Sequence, residues 1–260
     1  MMTTPKVYKT EAIVLRHAEF GEADRILTLY TLYSGKLRAI AKGVRKPTSK
    51  IGGHVESLTH CSLMLSRGQN LDIITQSQTI NSFLPIRRDL WRTSCALYLA
   101  ELVDAFAAEN VENQPIFRLL LDAFHRLGEV RHTELILRYF ELHLLSYLGY
   151  CPELQECLNC KSPLEPVVNL FSASGGGVLC PACADTEPVT SPISVNVLKV
   201  LRFFQNSDLA TACHLKLSPE LSRELEGLLR QYIRYLLERE LKSTEFLNRL
   251  KEDFVNDLPR

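Results

Sequence analysis

Near Pro85 the spacing of apolar residues switches from two to about 3.6, which divides the chain into a strand-built front and a helix-built remainder. Lys9–Arg16 is rich in β-branched and aliphatic residues. Gly21–Asp24 reads as a turn, and Arg25–Tyr33 as a second strand reversed at Ser34-Gly35. Lys36–Lys42 alternates strictly, with Leu37, Ala39 and Ala41 on one face and Lys36, Arg38 and Lys42 on the other. After a loop holding Pro47 and Gly52-Gly53, Val55–Ser66 and Leu71–Thr79 form a hairpin around Arg67–Asn70. Five short strands with no helix between them predict a small barrel, and the five-stranded OB-fold fits the length.

Past Pro85, helical spacing runs through Leu90–Ala108, Gln114–Leu127, Thr133–Leu148, Ser194–Gln205 and Pro219–Lys242. Thr133–Leu148 is apolar nearly all round and should be central. The expected organisation is α+β: an OB-fold barrel over 1–82, an α-helical domain over 83–150 and 192–245, and a cysteine-bearing insert over 151–191. The tail, 246–260, is expected to be frayed or partner-dependent.

The insert carries Cys157-Leu158-Asn159-Cys160 and Cys180-Pro181-Ala182-Cys183, two CxxC pairs nineteen residues apart. Each turn sets two thiolates where a tetrahedral zinc needs them, and a hairpin return through Gly175–Gly177 brings the pairs together. Four thiolates leave no open position, so such a zinc is structural. Merely buried cysteines, an iron–sulfur cluster and a redox-active Cys157/Cys160 pair are the competing readings. Cys61, Cys95 and Cys213 lie in apolar surroundings and read as core. Cys151 matches neither knuckle.

Lysines and arginines total 30, and acids 30, yet residues 1–80 hold eleven basic and six acidic side chains, and the remainder nineteen and twenty-four. The excess concentrates in Lys36–Lys50, where Lys36, Arg38, Lys42, Arg45, Lys46 and Lys50 meet no acid in sequence. A cationic strip over a small barrel points to a phosphate backbone, with Arg25 and Arg16 extending it and Phe20, Tyr30 and Tyr33 near enough to stack on bases. Tyr30 and Tyr33 are equally suited to the barrel core. Contact with six phosphates gives a slope of about −4 in log K against log salt on single strands. The bland alternative is a solvated face that protects an edge strand.

No GxxxxGK[ST], HExxH or GxSxG motif occurs, and His54 and His60 read as surface histidines, so the chain is expected not to be an enzyme. It has no 18-residue apolar run and no apolar N-terminal segment, which predicts a cytoplasmic protein, and the DNA reading places it on the nucleoid.

Phe20-Gly21-Glu22-Ala23-Asp24-Arg25-Ile26, followed by Gly35-Lys36 and Ala39-Ile40-Ala41-Lys42-Gly43-Val44-Arg45-Lys46-Pro47, closely resembles the N-terminal signature of the bacterial RecO family of DNA repair proteins. The resemblance extends over the whole chain in its order of basic barrel, helical part and four-cysteine insert. It implies a recombination mediator of the RecF pathway. Such a mediator binds single- and double-stranded DNA and anneals complementary strands. With RecR it helps load RecA onto DNA coated by single-strand binding protein (SSB), whose acidic C-terminal tail docks on the helical domain in some members. It also implies that Lys36, Arg38, Lys42, Arg45 and Lys46 fall in the DNA-contacting region, to which the charge reading adds Arg25 and Lys50. From the residues alone, a zinc-ribbon RNA-binding or transcription factor remains the alternative.

Overall fold

A computed structural model of the chain describes residues 6–130 and 132–256, the backbone alone from 252. In chain order the elements are β1 (Val7–Phe20), β2 (Asp24–Thr31), β3 (Gly35–Ala41), β4 (His60–Ser66), β5 (Asp72–Asn81), α1 (Leu84–Arg87), α2 (Leu90–Phe106), α3 (Gln114–Glu129) and α4 (Thr133–Tyr147). There follow β6 (Asn169–Ser172), β7 (Gly177–Leu179), β8 (Ser191–Ile193), α5 (Val195–Asn206), α6 (Leu209–Ala212), α7 (Pro219–Leu237) and α8 (Lys242–Asn256). They form two compact units, Met1–Glu129 with Leu241–Arg260, and Val130–Glu240. The sequence-based reading of the N-terminus as free of a signal segment falls partly on residues 1–5, which lie outside the described residues, as do 257–260 of the tail.

The first unit contains the expected five-stranded OB-like barrel, in the order β1-β2-β3-β5-β4. β1 serves two neighbours: Val7–Ile13 pairs with β4, and Ala12–Phe20 pairs with β2. A bulge between Val14 and Arg16 bends the strand so that it can do both. A parallel seam of two residue pairs, Ala39↔Asp72 and Ile40↔Ile73, joins β3 to β5. The alternation of β3 holds: Leu37, Ala39 and Ala41 enter the core with Leu27, Leu29 and Leu63, and Arg38 stays outside. β4 begins at His60 rather than at Val55. Val55 is buried in the barrel core, but a 3-10 turn at Gly52–His54 and a left-handed Leu58 (φ 63°) keep its segment out of the ladder. His60 is not at the surface. It is buried edge-on against Phe117, with Nε2 3.1 Å from Glu11, and burial holds its pKa below the ordinary histidine value.

The segment after α2 covers part of the barrel. Asn110 N–H donates to the Lys36 carbonyl at 2.7 Å, and the Tyr30 hydroxyl donates to the Asn113 carbonyl at 3.3 Å, leaving Tyr30 solvent-excluded. Gly35 permits this approach. A Cβ there would stand 1.8 Å from the Val111 carbonyl oxygen, and its φ of +62° is itself a glycine conformation. For this reason α1–α3 group with the barrel, although the sequence places them with the later helices.

The expected frayed tail requires correction, because Lys242–Asn256 is a helix. Leu241, Thr244 and Leu247 are buried at a spacing of three, and Glu101 of α2 accepts the N–H groups of Lys242 and Ser243 at 3.1 and 2.8 Å. A carboxylate on the first N–H groups of a helix satisfies donors that have no partner within the helix and complements its dipole.

In the second unit α4 is buried nearly all round, as its composition predicts, and it also carries a buried ion pair. Arg138 and Glu141 meet at 2.7 Å, with Glu226 of α7 4.0 Å from the same guanidinium. The cysteine insert forms a three-stranded sheet, β7-β6-β8. It is fastened to the helices by Phe171 edge-on to Tyr232 at 5.3 Å, by Tyr232 donating to the Tyr150 carbonyl, and by Arg202 donating to the Leu154 carbonyl.

Candidate metal centre and nucleic-acid interface

The four sulfurs of Cys157, Cys160, Cys180 and Cys183 lie within 4.8 Å of one another, with Cys160 and Cys180 3.8 Å apart. Zn–S bonds of about 2.3 Å in a tetrahedron require sulfurs about 3.8 Å apart, so the cluster fits a four-thiolate ion. The local backbone arranges it. Lys161 N–H donates to the Cys157 carbonyl, and Lys161 then takes a left-handed φ of 59°, which turns the chain behind the first pair. Cys180 N–H reaches Cys157 Sγ at 3.3 Å, and Asn159 Nδ2 reaches Cys183 Sγ at 3.4 Å. Burial pushes the Cys157 thiol up. The N–H groups of Cys180, Cys160 and Asn159 outweigh it and hold the thiol down at about 6. Donors aimed at sulfur favour the thiolate that a metal binds. Gly177 sits where a Cβ would meet the Glu153 carbonyl at 2.8 Å, so the hairpin packs directly on the first knuckle. Cys61 and Cys95 are core residues, and Cys151 is exposed and apart from the cluster.

The cationic strip divides into three groups. Lys36 is enclosed: its side chain is 13% exposed, and Nζ donates to the Asp104 carbonyl at 2.6 Å and stands 3.6 Å from the Asp104 carboxylate. Arg25 is similarly held, 2.8 Å from Glu56 with its side chain 19% exposed. Arg16, Arg38 and Arg45 form more open pairs with Asp104, Glu109 and Glu19 at 2.6, 3.2 and 3.3 Å. Lys42, Lys46 and Lys50 are exposed and make no ion pair among the described residues. The strip that meets no acid in sequence is therefore partly neutralised in space, by carboxylates from β1, from the loop before β4, and from α2 and the segment after it.

The Lys42–Lys50 loop is fixed at its root. Gly43 N–H donates to Asp24 Oδ1 at 2.6 Å, and Arg45 N–H donates to the Ala23 carbonyl at 2.9 Å, so the loop is tied to the β1–β2 turn. Of the three aromatics, Tyr30 is buried, whereas Phe20 and Tyr33 are exposed. Since Lys36 bonds a partly buried carboxylate, Lys36→Met should lower stability by about 1–3 kcal/mol, read as a lower urea midpoint at unchanged m-value.

Residues 2–83 match the family model described as Recombination protein O N terminal, and residues 87–245 match Recombination protein O C terminal. The chain is 44% identical over 250 residues to a DNA repair protein RecO of Dehalococcoides mccartyi, covering 96% of this chain and 98% of that one. It is 42% identical over 247 residues to the same-named protein of Roseiflexus sp., covering 95% and 87%, and 40% identical over 245 residues to that of Desulforamulus reducens, covering 94% and 95%.

The chain belongs to the RecO family. RecO membership supports a role in DNA repair and recombination and makes DNA-related partners the relevant ones. No helix among the described residues is long and apolar enough to cross a membrane. Sequence reasoning did not reveal Glu19, Glu56, Asp104 and Glu109 as partners of the basic strip. The last two lie between 68 and 88 residues from the cations they meet, and no local pattern links them.

Proposed function

We propose that this chain is a non-catalytic recombination mediator that grips DNA through phosphate contacts made by Lys42, Arg45, Lys46 and Lys50. It would thereby bring complementary single strands together. The supporting observation is that, within the family's basic N-terminal region, Lys42, Lys46 and Lys50 are exposed and without a described acidic partner, on a loop tied to the barrel. Arg45 shares an exposed carboxylate that a phosphate can replace, because an open pair is worth little in water. Arg16 and Arg38 are second-rank contacts for the same reason, while Lys36 and Arg25 position the face rather than touch DNA.

Neutralising phosphates on two strands lowers their repulsion and speeds pairing, with no need for nucleotide hydrolysis. Few base-edge readers accompany these cations, so sequence preference should be low. Four phosphate contacts set a single-strand salt slope of about −3, shallower than six contacts would give. Duplex DNA is bound by the same charge. RecR and the SSB tail are taken as protein partners, and the cytoplasm, on the nucleoid, as the site of action. Zinc at Cys157, Cys160, Cys180 and Cys183 would supply only a fixed tetrahedral crosslink; a redox role for Cys157 and Cys160 gives way to it. Family membership puts DNA ahead of RNA or a transcriptional site as the ligand.

An annealing assay run with a pull-down on RecR and an SSB tail peptide tests the reading. Faster pairing of complementary strands and capture of both partners are expected. Preference for RNA, or annealing no faster than in buffer, would overturn it.

A further inference from the structure

The outer face of β1-β2-β3 is covered progressively less toward the β1–β2 turn. The pairing puts Tyr30 beside Lys36, then Arg16, Thr28 and Arg38 in one row, then Ala18, Ile26 and Ile40, and finally Phe20 beside Asp24. Tyr30 and Thr28 are buried, Ile26 and Ile40 half-buried, and Ala18 and Phe20 exposed, Phe20 at 51%. One residue beyond β3, exposed Lys42 continues the alternation onto the same face. An apolar step thus descends from Phe20 to Ile26 and Ile40, bordered by cations.

The step is rigidly joined to the cationic loop. The Gly43–Asp24 and Arg45–Ala23 hydrogen bonds make that tie, while the open Arg45–Glu19 pair, one residue before Phe20, is the one a phosphate can replace. An exposed ring on the same face as free cations is how proteins hold unpaired bases: the charges take phosphates and the ring takes a base face. Glu22, exposed at the tip with no described ion pair, repels phosphate and so favours bases at the tip and backbone over the loop. In a duplex the base faces are already stacked on one another, so Phe20 gains nothing from it.

We propose that Phe20, on the same outer face as Ile26 and Ile40, is a stacking subsite for unpaired bases of single-stranded DNA, giving this end of the barrel a preference for single strands over duplex. The proposal rests on the loop reading above and adds the feature that discriminates between the two DNA forms. Stacking on one aromatic residue corresponds to about a 5- to 100-fold difference in affinity.

The test titrates the full chain and its Phe20→Ala, Phe20→Trp and Lys42→Ala/Arg45→Ala/Lys46→Ala variants against an oligo-dT strand and a duplex of equal length, with melting curves to verify folding. Phe20→Ala should lose about 5- to 100-fold on the single strand and little on the duplex. Phe20→Trp should restore binding, and its emission, above that of the single native Trp91, should be quenched by oligo-dT. Unchanged single-strand affinity in Phe20→Ala, or an equal loss on both DNAs, overturns the stacking subsite. If the triple variant then loses both DNAs, the loop reading stands without it; if the triple variant keeps both, the loop reading falls as well.

Discussion

If the cluster holds the zinc proposed above, replacing Cys157 with serine is expected to take metal content from one ion per chain to roughly none after dialysis. Cys157 is the fully buried cysteine of the cluster, and its sulfur accepts the Cys180 N–H, so a neutral serine oxygen on a shorter bond loses the thiolate and weakens the anchor of the second knuckle. Four-thiolate zinc contributes about 10–16 kcal/mol to the folding of small zinc modules, which is the largest single stabilisation expected anywhere in this chain. The consequence should stay local. Phe171, Tyr232 and Arg202 still hold the insert from the helical side, so helical circular dichroism should persist while limited proteolysis opens the stretch between Leu158 and Val189. Metal analysis and the proteolytic pattern are the two readouts. A Cys157→Ser protein that keeps stoichiometric zinc would show that the cluster does not bind it through this sulfur.

The second large effect is on DNA. Removing Lys42, Arg45 and Lys46 together should lessen the single-strand salt slope by about 2, from near −3 to near −1. With the electrostatic part vanishing near 1 M salt, this amounts to about a 100-fold loss of affinity at 0.1 M. Annealing should slow in step, because the same cations offset the repulsion between two strands. The fold should be unaffected: all three side chains are exposed, and what ties the loop is backbone N–H groups of Gly43 and Arg45. Titration at three salt concentrations gives both slope and affinity, and an unchanged slope would remove this loop from the interface.

How far the sequence reveals these features depends on whether their causes are local. The alternation of Leu37, Ala39 and Ala41 against Lys36 and Arg38 is a period-2 signal, and the strand and its inner face follow from it. The four-cysteine cluster is equally legible, because two CxxC turns and a glycine-rich return carry their geometry in their spacing. The start of β4 is not. Val55 is as buried as a strand residue, but Leu58 in a left-handed conformation breaks the ladder without any glycine or proline to announce it. α8 is missed because its buried stripe is short and includes a threonine, and because a carboxylate on α2 caps it. Arg138 and Glu141 hide a buried ion pair in a helix that reads as apolar. The largest discrepancy concerns the basic strip. Charge counting locates it, but the enclosure of Lys36 by Asp104 depends on a contact spanning 68 residues. Only the folded chain separates structural cations from those free to meet phosphate.

Photo-crosslinking of a substituted oligo-dT strand to the native protein, followed by cleavage at glutamates and mass mapping, addresses the central claim most directly. Adducts should fall in the stretch between Glu22 and Glu56, at Lys42 to Lys50, and disappear as salt is raised. Adducts confined to Val130–Glu240, with that loop unlabelled, would contradict the account.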